Sequence, residues 1–99
     1  MSFTVYVRRA AELDVAKAQK WYEEQLVGLA SDFHHEFSLV LARLAETPFI
    51  YPAVYRNIRR AVLHRFPFLV WYHVVGSVVT ILACTHGKAD PSKVPARLR

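Results

Sequence analysis

Apolar residues recur at three- and four-residue steps near the start of the chain: Ala11, Val15, Ala18, Tyr22, Leu26 and Leu29. That spacing lays them along one face of a helix, with Lys17, Lys20, Glu23 and Glu24 off it. Gly28 loosens the chain, and Ser31 is placed to cap the start of a second helix. Phe33, Phe37, Val40, Leu41 and Leu44 form the stripe of that helix, and Pro48 falls just past its end. Pro52 predicts an irregular segment next. Ahead of both helices, Phe3 to Val7 reads as a strand.

The period changes after residue 56. From Phe66 to Thr85, twenty residues contain no Asp, Glu, Lys or Arg, a length that a transmembrane helix needs. Pro67 at its start, Gly76-Ser77 in its middle and the valines at 70, 74, 75, 78 and 79 argue for strands instead. "VGSV" reads as a two-residue hairpin loop with glycine first, the type II′ pattern. Paired strands are expected at 67–75 and 78–86, with a third at 57–64. The order β-α-α-β-β-β predicts a single α+β domain over residues 1–99. A two-helix hairpin would pack on one face of a small antiparallel sheet.

A hairpin centred on Gly76-Ser77 pairs Val75 with Val78, Tyr72 with Ile81, Val70 with Ala83 and Phe68 with Thr85. One face then carries Phe68, Val70, Tyr72, Val74, Val79, Ile81 and Ala83, and the helices should cover it. Leu69, Trp71, His73, Thr80, Leu82, Cys84 and His86 fall on the opposite face, which should meet solvent or a partner. Either Arg60 or Arg59 joins that second face.

Charge sharpens this picture. Residues 1–50 carry five basic and seven acidic side chains, a balance of −2, whereas residues 51–99 carry eight basic side chains against Asp90 alone, a balance of +7. A one-sided field attracts polyanions or an acidic protein. The bland alternative is a solvated basic surface, but the clustering at 56–65 favours binding. The candidate partner-binding residues are Arg56, Arg59, Arg60, Arg65, Trp71, His73, His86 and Lys88. Composition adds limits. A chain of 99 residues can bury about 60 to 65% of its unfolded surface in one core. Cys84 is the only cysteine, so no internal disulfide forms, and no signal peptide is visible. A cytoplasmic location is expected. His34 and His35 point about 100° apart on a helix, while His64, His73 and His86 lie on separate strands. Neither a metal site nor a cofactor is expected.

"NIRRAVLHRFPFLVWYHVVGSVVTILACTHGKADP" (57–91) resembles the C-terminal half of the RelE/ParE superfamily of bacterial type II toxins. The matching pattern is a basic strand, Phe-Pro-aromatic, alternating Val and Tyr, a Gly turn, a strand, and His-Gly-basic-x-Asp-Pro. "WYEEQ" in the first helix and "PFIYPAVY" after the second agree with it. The resemblance implies a cognate antitoxin as partner and contact with operator DNA only through that antitoxin. Its RelE-like branch cuts messenger RNA on the ribosome. For that activity it implies His73 or His86 in proton transfer and Arg60 or Arg65 on the phosphate. This chain lacks the lysine-rich strand and the C-terminal tyrosine of the best-known nucleases. The ParE-like branch is associated with inhibition of DNA gyrase and needs no nucleolytic residues, and "FPFLVWY…HGKADP" leans that way. A ParE-like toxin is therefore the expectation, with a ribosome-dependent nuclease or a non-toxic basic binding module as alternatives. Whether the chain is an enzyme stays open between them.

Overall fold

In the computed structural model, which describes residues 2–99, both periodicities appear as elements. Strand β1 (Thr4–Val7) leads into helix α1 (Arg9–Gln25) and helix α2 (Leu29–Glu46). Strands β2 (Ala53–Tyr55), β3 (Ile58–Val62), β4 (Phe68–Val75) and β5 (Val78–His86) follow, and a short helix α3 (Val94–Arg97) comes last. The sheet order is β1-β5-β4-β3-β2. Strands β2 to β5 form an antiparallel meander, while β1 lies parallel to β5. The sheet is therefore mixed rather than wholly antiparallel. Strand β1 thus closes the β5 edge of the meander, and the two helices carry the chain across the sheet to β2 at the opposite edge.

Three details differ from the sequence reading. Helix α2 starts at Leu29, and its N-cap is Gly28 in the left-handed region (φ 92°), not Ser31. The chain reverses within Leu26–Gly28, and glycine makes that turn without strain. Leu26 falls outside α1 and is exposed. The segment after Pro52 is not irregular, because Ala53–Tyr55 pairs with β3 through a shifted register. The predicted order has no element beyond its last strand, yet α3 forms at the C-terminal end and Leu98 is buried.

The helix-covered side of the sheet holds the main core. Phe33, Leu44, Val70, Tyr72, Val79 and Ile81 are fully buried there, each burial contributing about 1.5–3 kcal/mol. Tyr22, Phe33, Phe66 and Phe68 pack as an aromatic cluster with ring centroids 4.9–6.1 Å apart. The Tyr72 hydroxyl donates to the Pro48 carbonyl at 2.6 Å, tying the end of α2 to the sheet. Burial pushes the Tyr72 phenol up to about 12, against a smaller opposing pull from Arg59.

The hairpin loop is where the pattern placed it. Val75 pairs with Val78, and Gly76 takes the positive φ (59°) that a type II′ turn requires. The register then shifts between Trp71 and Tyr72: Tyr72 pairs with Ile81, but Trp71 pairs with Ala83. Leu82 is the extra residue of a β-bulge. One extra residue exchanges the faces of everything beyond it. Val70 therefore pairs with Cys84 instead of Ala83, and Phe68 with His86 instead of Thr85. Cys84 joins the main core, and Ala83 moves beneath Trp71 on the other side.

A bulge leaves backbone groups without ladder partners, and the N-cap and first half of α1 supply them. Arg8 Nε donates to the Leu82 carbonyl at 2.7 Å. The Cys84 N–H donates to Asp14 Oδ2 at 2.9 Å. The same two side chains hold the last residues, through Arg8 to the Arg97 and Arg99 carbonyls and through an Arg97–Asp14 ion pair at 2.6 Å. Val94 and Leu98 are thereby pressed on Trp71, Leu82, Ala83 and Ile58 as a second, smaller core. The face expected to lie open is thus partly covered by the chain itself. Among the described residues no helix is long and apolar enough to cross a membrane.

Candidate functional site

Strand β3 sorts its two adjacent arginines to opposite sides of the sheet. Arg60 pairs with Trp71 and Arg59 with Tyr72. The Arg60 guanidinium lies 5.5 Å from the Trp71 ring centroid on the side away from the long helices. Arg59 turns to the helix side, 5.0 Å from the Phe49 ring, and donates to the Tyr51 carbonyl. Arg60 is therefore the arginine of the second face, and Arg59 is tied into the structure.

The remaining candidates divide in the same way. Arg56 stands in the β2–β3 turn with its guanidinium 5.5 Å from the Tyr55 ring. Arg65 follows β3, lies over Phe66 and meets Asp32 of α2 at 3.4 Å, so it belongs to the helix side. His73 is half-buried opposite Thr80, two residues along β4 from Trp71. The bulge moves His86 off the face expected for it. The ring sits 5.1 Å from Phe68 at the end of β5, and its Nδ1 accepts a hydrogen bond from the exposed Lys88 N–H. His86 pairs with Phe68, five residues from His73 along β4, so the two histidines stand roughly 16 Å apart along the sheet. They do not converge.

Arg60, Tyr55, Leu69, Trp71, His86 and Leu98 are among the residues that border a cavity of about 230 Å³ between β2–β4 and the C-terminal segment. No Asp or Glu side chain lines it. The Trp71 indole N–H is already satisfied by the Thr85 hydroxyl at 2.8 Å, so the floor is apolar and chemically quiet. A groove of about 850 Å³ opens between α1 and the ends of β4 and β5. Sequence reasoning missed it, because helical periodicity marks only the stripe that Tyr22 belongs to and says nothing of where α1 meets the strand ends. Tyr22 does join the aromatic cluster, but Trp21 is exposed at the groove mouth beside Lys17 and Lys20. The groove also holds Asp14 and Glu24, so its charge is mixed. Cys84 lies in its wall. Burial, and then the Asp14 carboxylate, push that thiol up to about 12, which leaves it unreactive. His34 and His35 are exposed on α2. Among the described residues no three His, Cys, Asp or Glu side chains come together as metal ligands.

No protein-family model matches this sequence, and no curated protein sequence matches it. Solved structures do match. A chain of the chromosomal ParDE TA system from P. aeruginosa superposes with a TM-score of 0.74 at 20% identity, over 86% of this chain and 96% of that one. A mutant of E. coli toxin RelE in the free state gives 0.61 at 16% identity, over 99% and 95%. A chain of the toxin-antitoxin complex RelBE2 from Mycobacterium tuberculosis gives 0.62 at 18% identity, over 91% and 95%. The fold of this chain is the RelE/ParE toxin fold.

Proposed function

We propose that the chain is the toxin of a bacterial type II toxin–antitoxin pair, ParE-like in action, inhibiting DNA gyrase through a protein–protein surface. A cognate antitoxin neutralises it and carries the complex to operator DNA, in the cytoplasm. The fold shared with ParDE and RelBE2 chains supports the toxin class. The observation that carries the ParE-like branch is the scatter of the nuclease candidates. His73 and His86 stand at opposite ends of the hairpin, and Arg60 and Arg65 lie on opposite sides of the sheet. Cleavage of a ribose phosphate needs an acceptor for the 2′-hydroxyl proton and a donor for the leaving oxygen, close around one phosphate. Here a single cation over an apolar cavity is suited to binding.

One observation favours the nuclease reading. Arg60 and His86 both border the same cavity. The Lys88 N–H occupies His86 Nδ1, which leaves Nε2 as the one nitrogen able to exchange a proton with a substrate. Gyrase supercoiling and ribosome-programmed mRNA cleavage, run with wild type, His73→Ala and His86→Ala, separate the two. The expected result is supercoiling inhibited equally by all three proteins. Codon-specific cleavage falling about 10²–10⁴-fold in His86→Ala, with gyrase untouched, would reverse the assignment.

A further inference from the structure

The sheet ends in two free edges, β1 and β2, and they are built differently. Strand β2 is guarded: Pro52 precedes it, its register shifts between Ala53 and Tyr55, and Arg56 follows it. A proline, a bulge and a charge are the usual means of refusing another strand. Strand β1 contains none of them, and its only protection is its length of four residues.

The free groups of β1 can be counted. The Thr4 N–H donates to the Ser77 carbonyl and the Arg8 N–H to the Ile81 carbonyl. Alternate residues of a strand bond to the same neighbour, so the even positions face β5. Val5 and Val7 therefore turn their N–H and C=O groups away from the sheet, and among the described residues nothing bonds to them. Before them, the Phe3 N–H is already held by the Ala45 carbonyl. After them, the Arg8 side chain turns back onto the Leu82, Arg97 and Arg99 carbonyls. The open edge is thus Val5 and Val7, with Tyr6 between them. Tyr6 lies level with Thr80 and His73 on the Trp71 side of the sheet and is 58% exposed.

We propose that two copies of the chain join along this edge, antiparallel, about a two-fold axis at Tyr6. Val5 of each copy then pairs with Val7 of the other, and each pair exchanges two N–H···O=C bonds. These bonds use every free backbone group of Val5 and Val7. Tyr6 faces its own counterpart in the non-bonded pair between them, where aromatic side chains stabilise a sheet. Charge selects the same occupant. Residues 3–7 carry none, on a chain of net charge +5. An acidic partner is drawn to the basic half instead, whereas two mutually repelling copies meet at least cost where neither is charged. The axis stands perpendicular to the sheet, so both Trp71 sides fall on one side of a continuous sheet. The two β4 strands are then five spacings apart, roughly 24 Å. One short strand a side is a small interface, which predicts a Kd of about 10–100 µM.

Sedimentation velocity on the full chain between about 5 and 500 µM tests the proposal. The mean mass should climb from that of one chain toward two. It should climb further as salt rises from about 50 to 500 mM, because salt screens the repulsion between copies. Tyr6→Lys sets like charges face to face on the axis and should weaken association at least about tenfold. Val54→Lys, an equal charge on the β2 edge, should leave it unchanged. Oxidative cross-linking reads the register. Non-bonded antiparallel pairs hold their Cα atoms about 4.5 Å apart, within reach of a disulfide. Tyr6→Cys should therefore link two copies. Thr4→Cys lies on the same face but roughly 14 Å from its counterpart, and should not. Cys84 is buried and adds no background. A chain that stays monomeric at the highest concentration and salt would overturn the proposal. So would equal cross-linking of Thr4→Cys and Tyr6→Cys, or dissociation by Val54→Lys in place of Tyr6→Lys. Supercoiling and cleavage do not enter these measurements, so the dimer stands or falls apart from the toxin reading.

Discussion

On one side the sheet carries Val70, Tyr72, Val79 and Ile81, all at 0% exposure, beneath two helices of 17 and 18 residues. On the other it carries Trp71, Leu82 and Ala83 beneath a helix of four. The first side is closed by area. The second is closed by a few directed hydrogen bonds, from Arg8 and Asp14 to the bulge and the C-terminal segment. Dispersion and burial are spread over many atoms and tolerate no partner in between. A clasp made of four or five polar contacts covers a face while leaving a cavity at its margin. The side built less completely is therefore the one that can bind something.

The largest expected effect tests that contrast directly. Phe33→Ala, at the centre of the aromatic cluster, should cost about 3–5 kcal/mol, and Leu98→Ala under the clasp about 2 kcal/mol. Urea unfolding with both variants measures the difference. Equal costs would mean that the two sides are one cooperative core and that the smaller cluster is no separate layer.

Alkaline pH gives the next effect, and it belongs to the helix side. Burial raises Tyr72 from 10.0 to about 12 and Cys84 from 9.0 to about 12. Both groups stay protonated in the folded chain while the unfolded chain ionises. Their contribution is therefore fully present below pH 9 and is lost as pH rises through the window from 9 to 12. The slope is at most about 1.4 kcal/mol per pH unit for each group. Stability followed by urea unfolding between pH 8 and 11 should fall, and Tyr72→Phe should make the fall shallower. An unchanged slope in that variant would remove Tyr72 as a cause.

Arg8→Met keeps the aliphatic stem and deletes the donors to Leu82, Arg97 and Arg99. Leaving those carbonyls without a partner should cost about 2 kcal/mol. Amide exchange should accelerate in residues 82–84 and 94–98 and hold steady around Phe33 and Tyr72. Uniform acceleration would show that the clasp supports the whole fold.

Much of this was legible in the sequence, and the parts that were not share a physical cause. The helical stripes, the Gly76-Ser77 turn and the pairing from Val75–Val78 to Tyr72–Ile81 all rest on local periodicity. Nothing local announces a bulge at Leu82, since "TILAC" alternates no worse than "VVTIL". Its signal is tertiary: Arg8 at the N-cap of α1 and Asp14 within it reach the two orphaned backbone groups. That single insertion accounts for the exchanged positions of Ala83, Cys84 and His86. The parallel β1 and the docked C-terminal segment were equally hidden, because each depends on which edge or face other elements leave vacant. The candidate site was partly legible. Arg60 and Trp71 share a face as β-strand alternation allows, whereas a tight turn carries Arg65 to the helix side and the bulge shifts His86 to the cavity's margin.

The smallest effect makes the sharpest comparison, because it concerns neighbouring residues of one type. Arg59 spans the helix side, bonded to the Tyr51 carbonyl and stacked near Phe49. Its replacement by Ala removes a charged hydrogen bond and a cation–π contact, and should cost about 1–2 kcal/mol of stability. Arg60 is exposed on the other side, with only the Trp71 ring beneath it. Arg60→Ala should change stability by less than about 0.5 kcal/mol, as surface substitutions do. Its effect should instead appear in binding, as weaker retention of an acidic partner or weaker inhibition of gyrase. Thermal unfolding and a pull-down with the product of the neighbouring reading frame, performed on both variants, give four readings. The expected pattern is a crossed one: Arg59→Ala unstable but retaining its partner, Arg60→Ala stable but losing it. Should Arg60→Ala retain the partner fully, the doublet's positive charge has a structural use on one side of the sheet and no binding use on the other. The cavity over Trp71 would then be a packing defect at the edge of a small core.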